Sequence, residues 1–419
     1  MDVLIGAHDL ARSVGRRLDP ASSFRLLDVG CSNGVHDAFR SFGDRLTAWA
    51  FDIDGSECAR LQAAETLPGV RYIAGEVALP EGHPFLIARS GRPRLPGNPW
   101  ERLSAASTLR NRRDAVSAKS ILKPASLVAT TDRIYLASFL ATEGIHDLDF
   151  IKIDVDGEDF AILSDLAGKL IALETLAVGI EVNFFGTDDP TDHTLHNVDR
   201  LMRAQGYELF GLTVRHYSAA ALPSRYKYWF PTETGFGRPL QGDALYMRDL
   251  CAPAQRVVAG RLSPQKLAKA AAIFSLANLP DCAAEVLMEF RDHLSSFLDV
   301  DTALDLLTTI GRQEGMPIRY RDYITAFAAD EACFYDWHSG PSPTQPAEAA
   351  VAPSEATTST PAAAGGSPAE AQIGFLTSET TRLRRELQAL RNSRSWRLTG
   401  PYRRLGDMAR RLLPRANEP

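Results

Sequence analysis

Seven short apolar runs dominate the region from Phe24 to Met247, and several are separated by stretches with helical spacing, such as SECARLQAAE and HTLHNVDRLMRAQG. In chain order the runs are RLLDV, TAWAFDI, VRYIAG, LDFIKIDV, TLAVGIEVNF, YELFGLTV and DALYM. Near-continuous apolar strands that alternate with helices are typical of a mostly parallel sheet covered on both faces. The pattern therefore predicts an α/β fold.

Changes in composition divide the rest of the chain. Apolar residues recur at helical spacing as far as Trp337, and a stretch rich in Pro, Ala, Ser and Thr follows. A short heptad stripe and an arginine-rich end complete the 419 residues. We predict, in order, a helical lead-in (1–23), the sheet domain (24–250) with a basic insertion (82–124), a helical domain (251–338), a disordered linker (339–371), a short coiled coil (372–394) and a basic amphipathic tail (395–419).

The composition of the whole chain narrows the class of protein. A net charge of −6 provides no global basic field for nucleic acid. The five cysteines lie far apart, without metal-ligand spacing, and are predicted to be reduced. The N-terminus lacks the apolar core of a secretory signal, and no run of about 18 apolar residues could span a membrane. We therefore expect a cytoplasmic protein that does not bind nucleic acid.

The first apolar run ends in the loop DVGCSNG, where an acid precedes two glycines. Such loops bring the backbone close to a nucleotide cofactor at the start of a helix. A dinucleotide fingerprint has a glycine where this chain has Ser32, and no third glycine follows in step, which argues against pyrophosphate. A structural turn from strand to helix is the alternative. The loop residues predicted to bind cofactor are Asp28, Gly30, Cys31, Ser32, Asn33 and Gly34.

The second and third runs end in further acids. Asp52, about 20 residues past the loop, is placed to accept hydrogen bonds from both hydroxyls of a ribose. Ile53 follows it at the same strand end, and both residues are predicted to bind the cofactor. Glu76 could meet the amino group of adenine, or it could be a solvated acid. These carboxylates suit S-adenosylmethionine, which carries an ammonium and a sulfonium, better than a phosphate-bearing cofactor.

The fourth run decides the resemblance. LDFIKIDVDGEDFAIL resembles the signature of FkbM-type methyltransferases, which is close to D-F-I-K-I-D-V-E-G. DVGCSNG is similar to that family's glycine loop, and AFDIDGSECARL is similar to its second acidic motif, with Ile53 in place of the usual proline. The resemblance covers about residues 24–247. It implies a Rossmann-like class I methyltransferase sheet of seven strands, one of them antiparallel, with S-adenosylmethionine as methyl donor and oxygen, often on a sugar, as acceptor.

Several side chains at the strand ends are candidates for the chemistry. Lys152, Asp154 and Asp156 share one face of a strand, and Asp154 is predicted to lie nearest the methyl-transfer centre and to contact the cofactor. Glu181, on the next strand, could be a second base, and His193 is a third candidate. Asp154 and Glu181 together could hold a divalent metal, but none is expected, because no histidine joins them in a recognisable spacing.

The two basic segments suggest partners. Residues 82–124 contain nine Lys or Arg against two acids, and they would suit a glycan that bears phosphate or carboxylate. The run SRSWRLTGPYRRL resembles a tail found on bacterial enzymes of surface-polysaccharide assembly. We expect residues 372–419 to mediate self-association or contact with a glycosyltransferase. The arginines and apolar residues of the tail could also bind the inner face of the membrane.

These observations predict a methyltransferase that acts on a sugar hydroxyl in polysaccharide or O-antigen biosynthesis. The acceptor would be a glycan, a nucleotide sugar or a lipid-linked sugar. The alternative is a non-catalytic assembly module, in which a degenerate methyltransferase domain recruits enzymes of glycan synthesis. The substituted loop residues Cys31 and Ser32 leave room for that alternative.

Overall fold

Each of the seven apolar runs contains a strand, as predicted. The computed structural model describes residues 3–92, 132–155, 157–217, 233–235, 237–308 and 319–329, all within one unit, Met1–Pro343. Asp156, the insertion beyond residue 92, the linker, the coiled coil and the tail lie outside these residues. The strands are β1 (Phe24–Val29), β2 (Leu46–Asp52), β3 (Val70–Ala74), β4 (Glu76–Val77), β5 (Arg133–Ile134), β6 (Phe150–Ile153), β7 (Ala177–Asn183), β8 (Glu208–Leu212), β9 (Arg215–Tyr217), β10 (Glu233–Thr234) and β11 (Arg238–Met247).

The main sheet has nine strands in the order β10-β9-β11-β7-β6-β1-β2-β3, with β8 also paired to β11. Strands β3, β2, β1, β6 and β7 are parallel neighbours, and β11 runs antiparallel to β7. This mixed sheet confirms the predicted Rossmann-like α/β fold, including the late antiparallel strand. The short strands β9 and β10 extend the sheet beyond the seven predicted strands, and β4 and β5 form a separate parallel pair.

The helices explain why the central strands are apolar on both faces. Every residue of β6 and β7 is buried, because helices and a hydrophobic core cover each side of the sheet. The helices are α1 (Asp9–Arg17), α2 (Asp37–Arg40), α3 (Gly55–Ala64), α4 (Pro84–Arg89), α5 (Leu136–Thr142), α6 (Asp159–Ala167), α7 (Leu195–Ala204), α8 (Pro253–Ala259), α9 (Pro264–Leu276), α10 (Pro280–Glu289), α11 (Arg291–Leu294), α12 (Val300–Leu307) and α13 (Tyr320–Ala329).

Helix α9 is attached to the amino ends of β1 and β6 by buried charges. Asp149 is fully buried, and its two carboxylate oxygens lie 2.7 Å from Lys266 Nζ and 2.8 Å from Lys269 Nζ. Lys269 also donates to the carbonyl oxygen of Ser23. Burial opposes the charge of Asp149, but the two lysines outweigh it and lower the pKa of the carboxyl. The helical segment therefore shares both a core and an ionic contact with the sheet, while the predicted boundary at residue 250 stays a prediction.

Backbone hydrogen bonds hold the carboxyl ends of four strands in a fixed arrangement. Gly30 N–H donates to the carbonyl of Phe51, and Asp154 N–H donates to the carbonyl of Val29, each over 2.9 Å. Gly75 N–H donates to the carbonyl of Asp52 over 2.9 Å. Ligands of open parallel sheets bind outside these strand ends, so the same contacts position the candidate site.

Candidate active site

A cleft of about 260 Å³ opens at the carboxyl ends of β1, β2, β3 and β6. Six of the residues predicted to bind cofactor line it: Gly30, Ser32, Asp52, Ile53, Glu76 and Asp154. Six lining residues were not predicted: Val29, Phe51, Gly75, Val77, Val155 and Glu158. Most of the unpredicted residues are apolar or glycine, and the signal that could have found them is their position at the same strand ends.

Asp52 is held in place by neutral donors. Its Oδ2 accepts a hydrogen bond from Ser32 Oγ at 2.9 Å, and its Oδ1 accepts from the backbone N–H of Asp54 at 2.8 Å. No described cation pairs with it, whereas Lys152, Arg133 and Arg89 neutralise the other acids that line the cleft. A carboxylate oxygen can accept a second hydrogen bond. Asp52 therefore offers a fixed, negatively charged acceptor pair to a ligand in the cleft.

The glycine loop has the backbone that close packing demands. Gly30 has φ of +86°, and a Cβ there would lie 1.8 Å from the carbonyl oxygen of Asp154. Asn33 and Gly34 also have positive φ, at 68° and 92°. Cys31 is buried in the hydrophobic core rather than exposed to the cleft, and burial raises the pKa of its thiol. Cys31, Asn33 and Gly34 thus shape the loop, while Gly30 and Ser32 line the cleft.

Asp28 and Lys152 form a buried pair beneath that loop. The two residues lie opposite each other in the register of β1 and β6, and Lys152 Nζ is 3.0 Å from Asp28 Oδ1. Lys152 Nζ also donates to the carbonyl of Gly30 at 2.7 Å and lies 3.5 Å from Asp154 Oδ2. Burial opposes its charge, but the two carboxylates outweigh burial and raise the pKa of Lys152. The structure thus places Lys152 and Asp28 as supports of the loop rather than on the cleft wall.

Ile53, Glu76 and Asp154 present different chemistry to the cleft. Ile53 is 41% exposed, an unusual exposure for a large apolar side chain at a strand end, and it provides a flat apolar wall. Glu76 lies 3.4 Å from Arg133 at the rim. The Asp154 side chain is 31% exposed, and it directly follows β6. Asp154 is therefore accessible to a ligand in the cleft.

Glu181 belongs to a buried ionic cluster. It lies directly opposite Asp243 in the pairing of β7 with β11, a like-charge arrangement that alone would be destabilising. Arg215 resolves the repulsion, since its guanidinium is 2.9 Å from Glu181 Oε2 and 2.8 Å from Asp243 Oδ1. Gln241 donates a further hydrogen bond to Glu181 Oε1. The structure places Glu181 outside the lining of the cleft, with both oxygens already engaged.

His193 is also engaged within the protein. Its Nε2 donates to the carbonyl oxygen of Glu181 at 2.8 Å, and its Nδ1 lies 3.8 Å from Asp159 Oδ2. Asp159 accepts hydrogen bonds from the backbone N–H groups of Val155 and Gly157, each at 2.9 Å. His193 therefore stands behind the loop that follows β6, and it does not line the cleft.

The first residues of the basic insertion cross the strand ends. Arg89 lies 2.8 Å from Glu158 on the cleft rim, and Arg92 pairs with Asp189 in the loop after β7. The segment that leads into the insertion thus contacts two loops of the site. Nothing among residues 3–92 and the other described ranges forms a group of three or more acidic, His or Cys ligands that could hold a metal.

Residues 111–209 match the model of the methyltransferase FkbM domain. This part of the chain is similar to the FkbM methyltransferase domain. The match confirms the predicted resemblance and includes β6 and the loop that carries Asp154. It begins after the glycine loop and Asp52, so the assignment of those two motifs rests on the geometry of the cleft.

Comparisons with other proteins add little detail. No curated protein sequence matches the chain significantly. Among solved structures, the METTL16 methyltransferase domain is similar at 11% identity and a TM-score of 0.26, and the match covers 57% of this chain but only 65% of that one. A putative S-adenosylmethionine-dependent methyltransferase from Listeria monocytogenes is similar at 10% identity and a TM-score of 0.27, over 57% and 97% of the two chains. Magnesium protoporphyrin IX methyltransferase from Synechocystis, with bound SAH, is similar at 9% identity and a TM-score of 0.25. The match covers 57% of this chain and 82% of that one. Similarities this low carry no information on substrate.

The cleft residues fit S-adenosylmethionine chemically. A carboxylate without a cationic partner, an exposed apolar wall and a close-approach glycine are what a ribose, an adenine and an adjacent cationic group require. A cofactor that bears phosphate would be expected to have lysine or arginine around it. Among the described residues, neither lines the cleft.

Proposed function

We propose that this protein is an S-adenosylmethionine-dependent O-methyltransferase that acts on a sugar hydroxyl in glycan assembly. The observation that carries the proposal is Asp52, fixed by Ser32 and Asp54 at the edge of the cleft without a described cation. The FkbM match over 111–209 supports the reaction type, and the similarity of the tail to polysaccharide-assembly enzymes supports the acceptor class.

Different residues of the cleft would contact different parts of the cofactor. Asp52 would accept hydrogen bonds from the ribose hydroxyls, and Ile53 and Val77 would pack on the adenine ring. Gly30 would let the backbone approach the amino-acid portion closely. Bound S-adenosylmethionine would supply an electrophilic methyl group on a cationic sulfur.

Asp154 is the residue best placed to act on the acceptor. A sugar hydroxyl is a poor nucleophile at neutral pH, and a base that takes its proton accelerates such reactions by about 10²–10⁴-fold. Asp154 also has a cation nearby, Lys152 at 3.5 Å, but its side chain is exposed to the cleft. Glu181 is buried and paired with Arg215, and His193 is bound to a backbone carbonyl. The hydroxyl proton would move to Asp154 Oδ2 or Oδ1 as the acceptor oxygen bonds to the methyl carbon.

Calorimetry and methyl transfer test the proposal. Wild-type protein should bind S-adenosylmethionine, and Asp52→Ala should weaken that binding by at least about tenfold, through loss of hydrogen bonds to a charged group. Asp54→Ala is the matched control, because Asp54 caps helix α3 two residues away and does not line the cleft. Transfer of a labelled methyl group to a panel of glycans then tests the acceptor. Absence of cofactor binding would favour the non-catalytic assembly module.

Contact with a membrane and with partners through residues 372–419 belongs to the same proposal. Eleven arginines against two acids lie between Arg382 and Arg415, which favours an anionic surface. No helix in the described ranges is long and apolar enough to cross a bilayer. Flotation with anionic and neutral liposomes, with and without the residues after Arg394, tests the contact, and equal flotation of the two proteins would contradict it.

A further inference from the structure

A second cavity, of about 540 Å³, begins where β7 ends and follows helix α7. Asn183 and Thr187 lie at one end of this groove, and Arg203 and Leu209 lie at the other. From Leu195 to Arg203, α7 rises by about 12 Å at 1.5 Å per residue. Leu209 pairs with Tyr246, which in turn pairs with Val178 near the start of β7. The groove therefore extends from the strand ends toward the opposite edge of the sheet.

One end of the groove lies at the same edge of the sheet as the cleft, at the carboxyl end of β7, which neighbours β6. Asn183 and Glu181 lie on the same face of β7, about 7 Å apart, because alternate residues of a strand point the same way. Ile180 is level with Ile153, so Glu181 is level with Asp154 on the neighbouring strand. A ligand that fills the groove would thus begin at the end of the strand next to the one that precedes the candidate base.

The loop between β7 and α7 forms a rigid wall of the groove. Thr187 donates to Asp192 Oδ2 from both its backbone nitrogen and its hydroxyl, at 2.8 and 2.7 Å. The side-chain amide of Asn197 donates to the carbonyls of Asp189 and Asp192. These bonds fix the loop before a ligand arrives, which lowers the entropic cost of binding.

Two donors face outward along α7. Thr194 Oγ1 accepts the backbone N–H of Asn197 and lies 3.0 Å from His196 Nδ1. In the tautomer in which the hydroxyl donates to Nδ1, the histidine proton is on Nε2. Arg203 gives its Nε to Asp199 at 2.8 Å, and no other described residue accepts from its guanidinium. His196 and Arg203 therefore present N–H groups at two points along the groove.

Apolar side chains lie between these donors. Phe184, Leu195 and Leu209 line the same groove, and each is only partly buried. A pyranose ring has an apolar face of C–H groups and a rim of hydroxyl oxygens that accept hydrogen bonds. An aromatic and aliphatic wall with spaced N–H donors matches both features. The length of the groove suits several linked rings better than one.

We propose that this groove binds the glycan chain that continues from the methylated sugar. The inference rests on the proposed function for its direction, because the methylated unit lies at the strand ends and the chain follows α7. His196 contacts the unit near the strand ends, and Arg203 contacts a unit farther along. The ligand is a neutral oligosaccharide rather than a single sugar.

Binding of oligosaccharides of defined length tests the proposal. The probes are the methyl glycosides and the linear tetrasaccharides of glucose, mannose, galactose and rhamnose, observed by saturation-transfer NMR with full-length protein. At least one tetrasaccharide should bind about tenfold more tightly than its methyl glycoside. Arg203→Ala should lower the affinity for the tetrasaccharide about tenfold and leave the affinity for the methyl glycoside unchanged. His196→Ala should weaken binding of both.

Arg200→Ala is the matched control, because Arg200 is exposed on the same helix and does not line the groove. Thermal unfolding of each variant shows whether it is folded. The proposal is overturned if no probe binds, if length gives no gain, or if Arg203→Ala behaves like Arg200→Ala. Calorimetry with S-adenosylmethionine on the same samples separates the two proposals: tetrasaccharide binding without cofactor binding would reject methyl transfer and retain the groove.

Discussion

Ser32 Oγ donates a hydrogen bond of 2.9 Å to Asp52 Oδ2 across the mouth of the cleft. Ser32 occupies the position where a dinucleotide loop has glycine, and its side chain fills space that a pyrophosphate would need. The hydroxyl instead orients the carboxylate that we propose binds the ribose. The departure from the dinucleotide pattern thus has a direct role in the geometry of the site.

Ser32→Ala should weaken binding of S-adenosylmethionine by about 3- to 10-fold, because Asp52 loses one of its two orienting donors. Isothermal titration measures the change. Ser22→Ala provides the control, since Ser22 Oγ donates to Asp19 at 2.8 Å, before β1, at the other end of the sheet. Unchanged affinity in Ser32→Ala would show that the hydrogen bond does not serve the ligand.

Gly30→Ala should destabilise the protein by more than about 4 kcal/mol or prevent folding. The new Cβ would meet the Asp154 carbonyl at 1.8 Å, in addition to the cost of positive φ. Gly43→Ala measures the cost of positive φ alone, because Gly43 has φ of +59° with no atom within 4 Å of the added Cβ. It should cost about 1–2 kcal/mol. Urea denaturation compares the two, and similar losses would mean that the close approach at Gly30 is relieved by small movements.

Asp154→Asn should lower kcat for methyl transfer by about 10²–10⁴-fold and leave cofactor affinity within a few-fold of wild type. Asparagine keeps the shape of the side chain but cannot take a proton. Glu158→Gln is the control, because Glu158 lines the same cleft and pairs with Arg89. Steady-state kinetics under saturating cofactor measure both variants. Full turnover in Asp154→Asn would reject it as the base.

Stability should fall at acid pH through Glu65. Two hydrogen bonds from Arg40, at 2.8 and 2.6 Å, together with the N–H groups of Thr66 and Leu67, lower the pKa of Glu65 to about 2 from 4.5. A depressed folded-state pKa stabilises the protein above pH 4.5, and this stability is lost as the pH falls toward 2.

Urea unfolding at pH 6 and at pH 2.5 tests this dependence. Glu65→Gln should be clearly less stable than wild type at pH 6 and much closer to it at pH 2.5. Glu143→Gln, which removes an ion pair whose Arg71 side chain is 53% exposed, should have little effect at pH 6. A constant difference between Glu65→Gln and wild type at both pH values would contradict the role of its ionisation.

The sheet was predictable where burial is two-sided. Strands β6 and β7 are buried at every residue, so their sequences are nearly continuous apolar runs that the pattern identifies directly. Strands β9 and β10 have only three and two residues and contain no such run. They form because β9 pairs with β11 and β10 pairs with β9, and local sequence does not reveal such pairing.

The position of a candidate site residue was predictable where it depends only on its own strand end: Asp52 and Asp154 both line the cleft. It was not predictable where function depends on register. Lys152 shares a face with Asp154, yet its amine is directed to Asp28, which is opposite it on a strand 124 positions away in sequence. Glu181 was likewise predicted as a base from its strand alone, but it pairs with Arg215, which lies in a three-residue strand. Charge partners across strands require knowledge of which strands are neighbours.

Lys266 and Lys269 have a consequence for how this chain can evolve. Their two ammonium groups provide the countercharges of Asp149, a carboxylate with no exposure to solvent. A recombination event that replaced the residues after 250 with an unrelated segment would leave that buried carboxylate without a countercharge. The protein would then be less stable by about 3–5 kcal/mol. The sheet and the helices behind it should therefore be inherited together, and any lineage that separates them should show Asp149 replaced by a neutral residue.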